Sequence, residues 1–279
     1  MFKKISRVLR RTIDAINSNA QSAASINHWL SKQYFDALQN SPRAHEPKRL
    51  LRYTDRVFSQ GIEDGVLAEI FRRIGSASQS AIEVGAGEGV ENNTMFLLFQ
   101  GWRCLWVEAA KEHAARIQNT HASWLNSGAL TLRAQYISAA NCEDLLAPFA
   151  REFGANLDLL SIDIDSQDYW VLKQALTFVN PRVITMEYNG TFPASVSITV
   201  PLDHPNHTGR FYGASLAALD TLLNDRYALV GCTPNGVNAF WVRRDLDLSK
   251  FSEPFTVENH YQANPFPEPH GNCVAWLKV

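Results

Sequence analysis

The sequence predicts an α/β fold in which a doubly wound, mostly parallel sheet of seven strands ends in a C-terminal antiparallel hairpin strand. From about residue 60, short apolar segments alternate with segments of roughly 10 to 15 residues whose apolar positions recur at helical spacing, as in βαβ units. Near the end, the apolar segments YALVGC and VNAFWVRR are separated only by TPNG. A Pro-Asn-Gly turn between two strands favours antiparallel pairing, so one antiparallel strand should close the sheet.

The individual elements follow one another in regular order. Apolar runs rich in β-branched and aromatic side chains predict strands at 80–85, 103–109, 129–138, 157–164, 182–188, 227–232 and 237–244. Helical spacing of apolar residues predicts helices at 63–74, 92–100, 111–125, 142–153, 167–179 and 213–225. Right-handed crossovers between parallel strands would place these helices on both faces of the sheet.

The chain is predicted to have three parts: a helical N-terminal extension at residues 1–50, a domain at 51–245 and a C-terminal tail at 246–279 that packs on the domain. In the extension, Lys and Arg fall largely opposite an apolar stripe formed by Phe2, Ile5, Leu9, Ile13 and Ile16. Such an amphipathic helix would make a peripheral contact with an anionic membrane, or would pack on the domain or on another copy of the chain in a homo-oligomer.

The composition limits the partners and the compartment. The 279 residues are 46% hydrophobic, which is enough for one large core or two modest ones. The net charge of −2 gives no indication of the basic face that a nucleic-acid-binding protein usually shows, so no nucleic acid is expected as a partner. The four cysteines form no CxxC pair and no zinc-ligand spacing, which predicts free thiols and a cytoplasmic protein. No apolar run approaches the roughly 20 residues that span a bilayer.

A glycine-rich loop, GAGEG, follows the first predicted strand. Gly85 and Gly87 would let the backbone approach a ligand closely and adopt positive φ. The dinucleotide fingerprint needs a third glycine at position 90, where this chain has Val90, so a pyrophosphate ligand is less favoured. Glu108 ends the second strand about twenty residues later, where an acidic side chain accepts hydrogen bonds from both ribose hydroxyls of a nucleoside.

The third predicted strand ends in YISAAN. Ser138, Ala139 and Asn141 would therefore lie at the same edge of the sheet as the glycine loop. We expect them to meet an adenine ring and its amino group, through side-chain or backbone atoms.

Four motifs, EVGAGEG, WVEA, DLLSIDID and MEYN, resemble in this order the motifs of class I S-adenosylmethionine-dependent methyltransferases, which have a Rossmann-like fold. FSQGIEDGVLAEIF and LLSIDIDSQDYWVLKQAL resemble more narrowly the FkbM-like methyltransferases. The resemblance covers about residues 57–243. It implies an enzyme that uses S-adenosylmethionine and methylates a hydroxyl of a saccharide, a glycan or a related natural-product acceptor.

The resemblance also implies roles for particular residues. Gly85, Gly87 and Glu108 would bind the cofactor and Glu83 would support the loop, while Gln60 and either Glu63 or Asp64 would lie near its methionine end. FkbM-like enzymes usually carry Gly-x-Glu after the acid of the fourth strand, whereas this chain has DSQD with Asp168 at the Glu position.

Carboxylates cluster where the fourth and fifth predicted strands end. Asp163 follows a buried apolar run and is the main candidate for chemistry, and Asp165 lies two residues on. Asp165 or Ser166 could instead be the N-cap of the next helix, and Asp168 would then interact with the helix dipole in its first turn. The next strand ends in Glu187, Tyr188 and Asn189, which places Glu187 and Asn189 beside Asp163 as further catalytic candidates.

Two roles are open for these side chains. They could act as a general base that removes the proton of an acceptor hydroxyl, or they could hold Mg²⁺ through oxygen ligands. The long segment at 190–213 would act as a lid or substrate element, with polar candidates Asp203, His204, His207, Arg210 and Tyr212. Two other functions stay open: an oxidoreductase that uses a dinucleotide or a nucleotide sugar, and a non-catalytic scaffold.

Overall fold

The larger part of the chain is organised around one sheet of seven strands. The computed structural model describes residues 36–202, 212–264 and 276–279, together with residues 26, 30, 33 and 34. The strands are β1 (Ser80–Val84), β2 (Arg103–Glu108), β3 (Leu130–Ala134), β4 (Leu159–Ile162), β5 (Val183–Glu187), β7 (Tyr227–Cys232) and β8 (Asn238–Arg243). Between β5 and β7 in the chain, β6 (Ile198–Thr199) forms a separate antiparallel pair with β9 (Leu277–Lys278).

The order of strands across the large sheet is β3-β2-β1-β4-β5-β8-β7. The first five pair in parallel, and β8 is antiparallel to both of its neighbours, β5 and β7. This order and polarity are those of the Rossmann-like class I methyltransferase fold, so the predicted fold class is confirmed. Because β1, β2, β4 and β5 are parallel, their carboxyl ends share one edge of the sheet. The antiparallel β8 brings its amino end, at Asn238, to that edge as well.

The described helices are α1 (Pro42–His45), α2 (Glu63–Ile74), α3 (Met95–Phe99), α4 (Lys111–Thr120), α5 (Ala122–Ser127), α6 (Cys142–Phe153), α7 (Asp168–Ala175), α8 (Leu216–Leu223) and α9 (Val257–His260). The bounds predicted for α2 and α6 agree with the structure. The prediction of a single helix at 111–125 is wrong, because the helix is interrupted at His121 and forms two helices, α4 and α5. The third strand was predicted to reach Ser138 but ends at Ala134.

Both faces of the sheet are buried. Alternate residues of each strand point to opposite faces, so in β1 Ile82 belongs to one hydrophobic cluster and Ala81 to the other. Leu146 of α6 and Leu172 of α7 pack in the first cluster. Leu67 of α2 packs in the second. Strands covered on both faces explain why the sequence shows continuous apolar runs without alternation.

The chain divides into two compact units, Met1–His45 and Glu46–Val279. The sheet and all helices except α1 belong to the second unit. The predicted amphipathic stripe from Phe2 to Ile16 lies outside the described residues, and the division at residues 50 and 245 stays a prediction. Within the second unit the tail carries α9, a short helix that the sequence pattern did not indicate.

Two compositional predictions can be compared with the described residues. None of the helices there has the length and apolar character to cross a membrane. Cys104, Cys142 and Cys232 are buried and form no disulfide, as predicted, whereas Cys273 lies outside the described residues. The predicted cytoplasmic location stays a prediction.

Candidate active site

The glycine loop packs directly against the end of β4. Gly85 has a φ of +88°, and a Cβ at this position would lie 1.7 Å from the carbonyl oxygen of Asp163. The amide of Asp163 in turn donates to the carbonyl of Val84 over 3.0 Å. A glycine is therefore required at position 85 because the backbone of Asp163 lies against it. The predicted role of Gly85 in binding the cofactor stays a prediction.

Gly87 differs from Gly85, because a Cβ there would meet no atom within 4 Å. Its φ is +57°, and its amide donates to Glu108 Oε2 over 2.7 Å. The other carboxylate oxygen of Glu108 accepts from the amide of Ala110, also over 2.7 Å. The loop and the end of β2 are thus fixed to each other, while each carboxylate oxygen keeps a lone pair for a ligand.

A cavity of about 310 Å³ opens beside this pair. It is lined by Gly85, Gly87, Val107, Glu108, Ala109, His113, Tyr136, Ile137, Asp163, Ile164, Asp165 and Ser166. Ser138 and Ala139, predicted as adenine contacts, do not line it. Since β3 ends four residues earlier than predicted, the side chains that reach the cavity are Tyr136 and Ile137. Asn141 Oδ1 instead accepts from the amide of Ser138 over 2.7 Å.

Glu83 anchors the segment that follows the glycine loop. It is 3% exposed, and its carboxylate accepts four hydrogen bonds: from Asn92 Nδ2, from the amides of Asn93 and Thr94, and from Thr94 Oγ1. Burial raises the pKa of Glu83, while these donors act in the opposite direction. The geometry agrees with the supporting role that the resemblance implied.

A second cavity, of about 820 Å³, adjoins the first and shares Gly85, Gly87, Asp163 and Asp165 with it. On its floor the carboxyl groups of Asp163 and Glu187 are hydrogen-bonded to each other. Burial raises the pKa of Asp163 to about 8, and the nearby carboxylates of Asp168 and Asp165 add to this effect. Burial and the charge of Asp163 raise the pKa of Glu187 well above its usual value. The pair therefore holds a proton near neutral pH.

The turn after β4 presents Asp165 to both cavities. Asp165 is exposed and has a φ of +55°, an uncommon value for a residue other than glycine. Asp168 stabilises this turn by accepting from the amides of Ile164 and Ser166 over 2.8 and 2.9 Å. The alternative that Asp165 or Ser166 is the N-cap is wrong, because α7 begins at Asp168 and its N-cap position is Gln167.

The oxygens of Asp163, Asp165 and Glu187 lie within 4.8 Å of one another. This spacing also suits a cation with oxygen ligands, and Mg²⁺ stays a prediction.

The start of α2 supplies the opposite wall of the larger cavity. Gln60 and Glu63 line it, and Glu63 accepts from Asn238 Nδ2 over 2.9 Å and from the amide of Gly61 over 3.1 Å. Asp64, the alternative to Glu63 at the methionine end, does not line this cavity. Its Oδ2 accepts from the three successive amides of residues 57–59 over 2.6 to 2.8 Å, and so fixes the loop before α2.

Asn189, a predicted catalytic residue, lines neither cavity. It is 1% exposed, its Oδ1 accepts from Thr191 Oγ1, and its amide donates to the carbonyl of Ala214 over 2.8 Å. Of the polar candidates in the predicted lid, only Tyr212 is among the described residues; Asp203, His204, His207 and Arg210 lie outside them.

The β7–β8 hairpin contributes residues that the sequence did not single out. Asn235, Val237 and Asn238 line the larger cavity, as does Asn92. Asn238 lies opposite Glu187 in the antiparallel register of β5 and β8. The signal that could have found these residues was present: an antiparallel last strand returns its amino end to the edge where the parallel strands end.

Comparisons with known proteins agree on the fold only. No protein-family model matches the sequence, and no curated protein matches it. Similar solved structures include the glycopeptide N-methyltransferase MtfA complexed with S-adenosyl-L-homocysteine, with 15% identity over 68% of this chain and 93% of that chain and a TM-score of 0.42. The CcbJ methyltransferase from Streptomyces caelestis has 12% identity over 71% of this chain and 97% of that chain, with a TM-score of 0.38. An S-adenosylmethionine-dependent methyltransferase from Clostridium acetobutylicum has 13% identity over 63% of this chain and 89% of that chain, also with a TM-score of 0.38. At these identities and TM-scores the likeness carries no conclusion about substrate or residue roles.

Proposed function

We propose that this chain is an S-adenosylmethionine-dependent methyltransferase that methylates a hydroxyl of a saccharide, a glycan or a related natural-product acceptor. The observation that carries the proposal is the junction of the two cavities. A pocket bounded by Gly87 and Glu108 opens directly onto the Asp163–Glu187 pair. A nucleoside bound at the first would present a reactive group to the second. The FkbM-like assignment rests on the sequence motifs alone.

The residues present fit the cofactor. Glu108 keeps a lone pair on each oxygen for the ribose hydroxyls, and Tyr136 and Ile137 give the smaller cavity a wall suited to adenine. Asn92, which lines the larger cavity, has a buried Oδ1 without a hydrogen-bond partner. An unpaired buried acceptor of this kind suits the ammonium of the methionine part.

Bound S-adenosylmethionine would supply an electrophilic methyl group for an in-line displacement. The contribution of the protein is to orient the acceptor and to remove its hydroxyl proton. Burial and the neighbouring carboxyl groups raise the pKa of both Asp163 and Glu187, so the member of the pair that ionises would accept the proton of the hydroxyl. Asp165, at the mouth of both cavities, is placed to hydrogen-bond the acceptor.

Calorimetry with S-adenosylmethionine, S-adenosylhomocysteine and NAD tests the cofactor. We expect the first two to bind and NAD not to bind. Tight NAD binding without S-adenosylhomocysteine binding would favour the dinucleotide oxidoreductase instead, which Val90 and the C-terminal hairpin disfavour.

Methyl transfer tests the chemistry. With isotopically labelled methyl donor and a panel of saccharides, Asp163→Asn should lower the rate by about 10²-fold or more while S-adenosylhomocysteine binding is retained. Retained binding identifies a loss in the chemical step and not in the pocket. If no acceptor is methylated and the substitution changes nothing, the non-catalytic scaffold is the better description.

A further inference from the structure

The amide oxygen of Asn238 is a buried acceptor without a hydrogen-bond partner. Asn238 is 5% exposed, lines the larger cavity and has already committed its Nδ2 to Glu63 over 2.9 Å. The amide is oriented by that bond, and its oxygen is the atom left without any partner. A buried polar atom without a partner lowers the stability of the folded protein, and a bound donor would offset this loss.

The neighbours of Asn238 also offer hydrogen-bond acceptors. Asn235, in the turn of the same hairpin, also has an Oδ1 without a partner, and it lines the same cavity. Glu187 faces Asn238 across the β5–β8 ladder, and directly opposite residues of an antiparallel pair lie on the same side of the sheet. With Glu63, this makes a hairpin subsite of four acceptor side chains: Glu63, Glu187, Asn235 and Asn238.

The charged side chains that line the larger cavity are all acidic, so they also favour a ligand with positive charge. None of its described lining residues is Lys, Arg or His. At its rim, Glu88 pairs with Arg116 and Glu91 with Arg56, so these two acids are already compensated. Glu83 is saturated by four hydrogen bonds. The inner acids Glu63 and Glu187 have only neutral donors or another carboxyl group around them.

We propose that the acceptor carries a protonated amine and that the hairpin subsite binds it. An ammonium offers three N–H donors, accepts none and carries the compensating charge, whereas a neutral hydroxyl offers one donor and no charge. The acceptor is then an amino sugar or a related amino alcohol. This inference rests on the proposed function and narrows its acceptor class.

Binding of amine ligands and of their uncharged counterparts tests the inference. With the protein saturated by S-adenosylhomocysteine, calorimetry at pH 7 compares glucosamine with N-acetylglucosamine, galactosamine with N-acetylgalactosamine, and ethanolamine with ethylene glycol. We expect the amine of at least one pair to bind about tenfold more tightly than its neutral counterpart. Equal affinities in all three pairs would overturn the proposal.

Two substitutions of Asn235 change the subsite in opposite directions. Asn235→Ala should weaken binding of the preferred amine by about tenfold, and Asn235→Asp should strengthen it by a similar factor, with no change for its neutral counterpart. Asn119 is exposed on α4 and lines neither cavity, so Asn119→Ala and Asn119→Asp are matched controls that should change nothing. Because Asn235 is half-buried in a turn, its variants should fold, which circular dichroism checks.

The ammonium that binds the hairpin subsite could also be that of the cofactor, which carries an amino-acid group. Comparing S-adenosylhomocysteine with 5′-methylthioadenosine, which lacks the amino-acid group, separates the two. If Asn235→Ala weakens S-adenosylhomocysteine but not 5′-methylthioadenosine, the subsite belongs to the cofactor and the inference is overturned. Saturable Mg²⁺ binding that displaces the amine would overturn it as well. If the wild-type protein binds no S-adenosylhomocysteine at all, the proposed function fails first.

Discussion

Glu83, one residue before the end of β1, and Glu187, the last residue of β5, belong to the same sheet, yet they have opposite surroundings: Glu83 is buried and Glu187 is partly buried. Glu83 accepts four hydrogen bonds from residues 92–94 and serves as an anchor. Glu187 has another carboxyl group, Asp163, as its partner and an amide with a free acceptor, Asn238, across the ladder. The difference separates an acid that fixes the backbone from an acid that is available for chemistry.

The same contrast divides the aspartates of one short stretch. Asp168 has both carboxylate oxygens occupied by backbone amides of the turn before it. Asp163, five residues earlier, has its carboxyl group in the cavity. Asp64 and Asp158 resemble Asp168, because each accepts from three consecutive backbone amides. Carboxylates that accept from backbone amides therefore fix loops, whereas Asp163 presents its carboxyl group to the cavity.

The largest effect is expected at Gly85, where the glycine loop lies against the backbone of Asp163. Gly85→Ala would place a methyl group 1.7 Å from the carbonyl oxygen of Asp163, at a φ of +88°. We expect a loss of about 3 kcal/mol or more in the free energy of unfolding, or failure to fold, since neither strand end can move without opening the sheet. Urea denaturation measures the loss.

Gly128 is the matched control for Gly85. Its φ is +76°, but a Cβ there would meet nothing within 4 Å. Gly128→Ala should therefore cost only about 1 kcal/mol, from backbone conformation alone. Equal costs at the two positions would mean that the contact between Gly85 and Asp163 is not what requires the glycine.

The next effect compares the two glutamates directly. Glu83→Gln replaces an oxygen that accepts by an NH₂ group that faces other donors, so the free energy of unfolding should fall by about 2–3 kcal/mol. Glu187→Gln should change it by less than about 1 kcal/mol while slowing methyl transfer by about 10²-fold or more. Urea denaturation and a methyl-transfer assay on both variants test this difference. A large loss of stability in Glu187→Gln, with a large loss of rate but not of stability in Glu83→Gln, would contradict it.

The sequence predicted the fold well because parallel strands buried on both faces leave strong apolar runs and because TPNG marks the hairpin. It also predicted that Glu187 would lie beside Asp163, since the ends of adjacent parallel strands share an edge. It could not tell Asp64 from Glu63, because the choice depends on which side chain turns toward the amides of residues 57–59.

Errors at strand ends had direct consequences for the predicted site. The prediction ended β3 four residues too late, and it therefore named Ser138 and Ala139 as adenine contacts, whereas Tyr136 and Ile137 line the cavity. Asn235 and Asn238 were missed for a different reason. The antiparallel last strand could have placed them at this edge, but the oxygens without a partner are not visible in a single sequence.

The smallest effect is a dependence of stability on pH to which the Asp163–Glu187 pair contributes, together with Glu83, Asp168 and Asp220, whose pKa values burial also raises. Asp163 and Glu187 have pKa values raised in the folded state, so the folded protein binds more protons than the unfolded chain between about pH 4 and pH 8. Their contribution to stability is complete below the unfolded pKa values, near 4, and is lost as the pH rises through the folded values. Wild-type protein should therefore lose on the order of 2 kcal/mol in free energy of unfolding across this window.

The double variant Asp163→Asn, Glu187→Gln should remove the part of this slope that the pair contributes and leave the part that Glu83, Asp168 and Asp220 contribute, measured by urea denaturation at pH 5, 6.5 and 8. The ion-paired Glu69 does not interfere. Burial opposes its ionisation, but hydrogen bonds from Arg72 and Arg73 lower its pKa to about 2, so its contribution to stability is lost only as the pH falls below about 4.5. Parallel pH profiles for wild type and variant would mean that the two carboxyl groups are not proton-sharing partners, and the general base would then have to be sought elsewhere in the cavity. A slope that is reduced in the variant, with S-adenosylhomocysteine binding retained, would assign that part of the proton uptake to the catalytic pair.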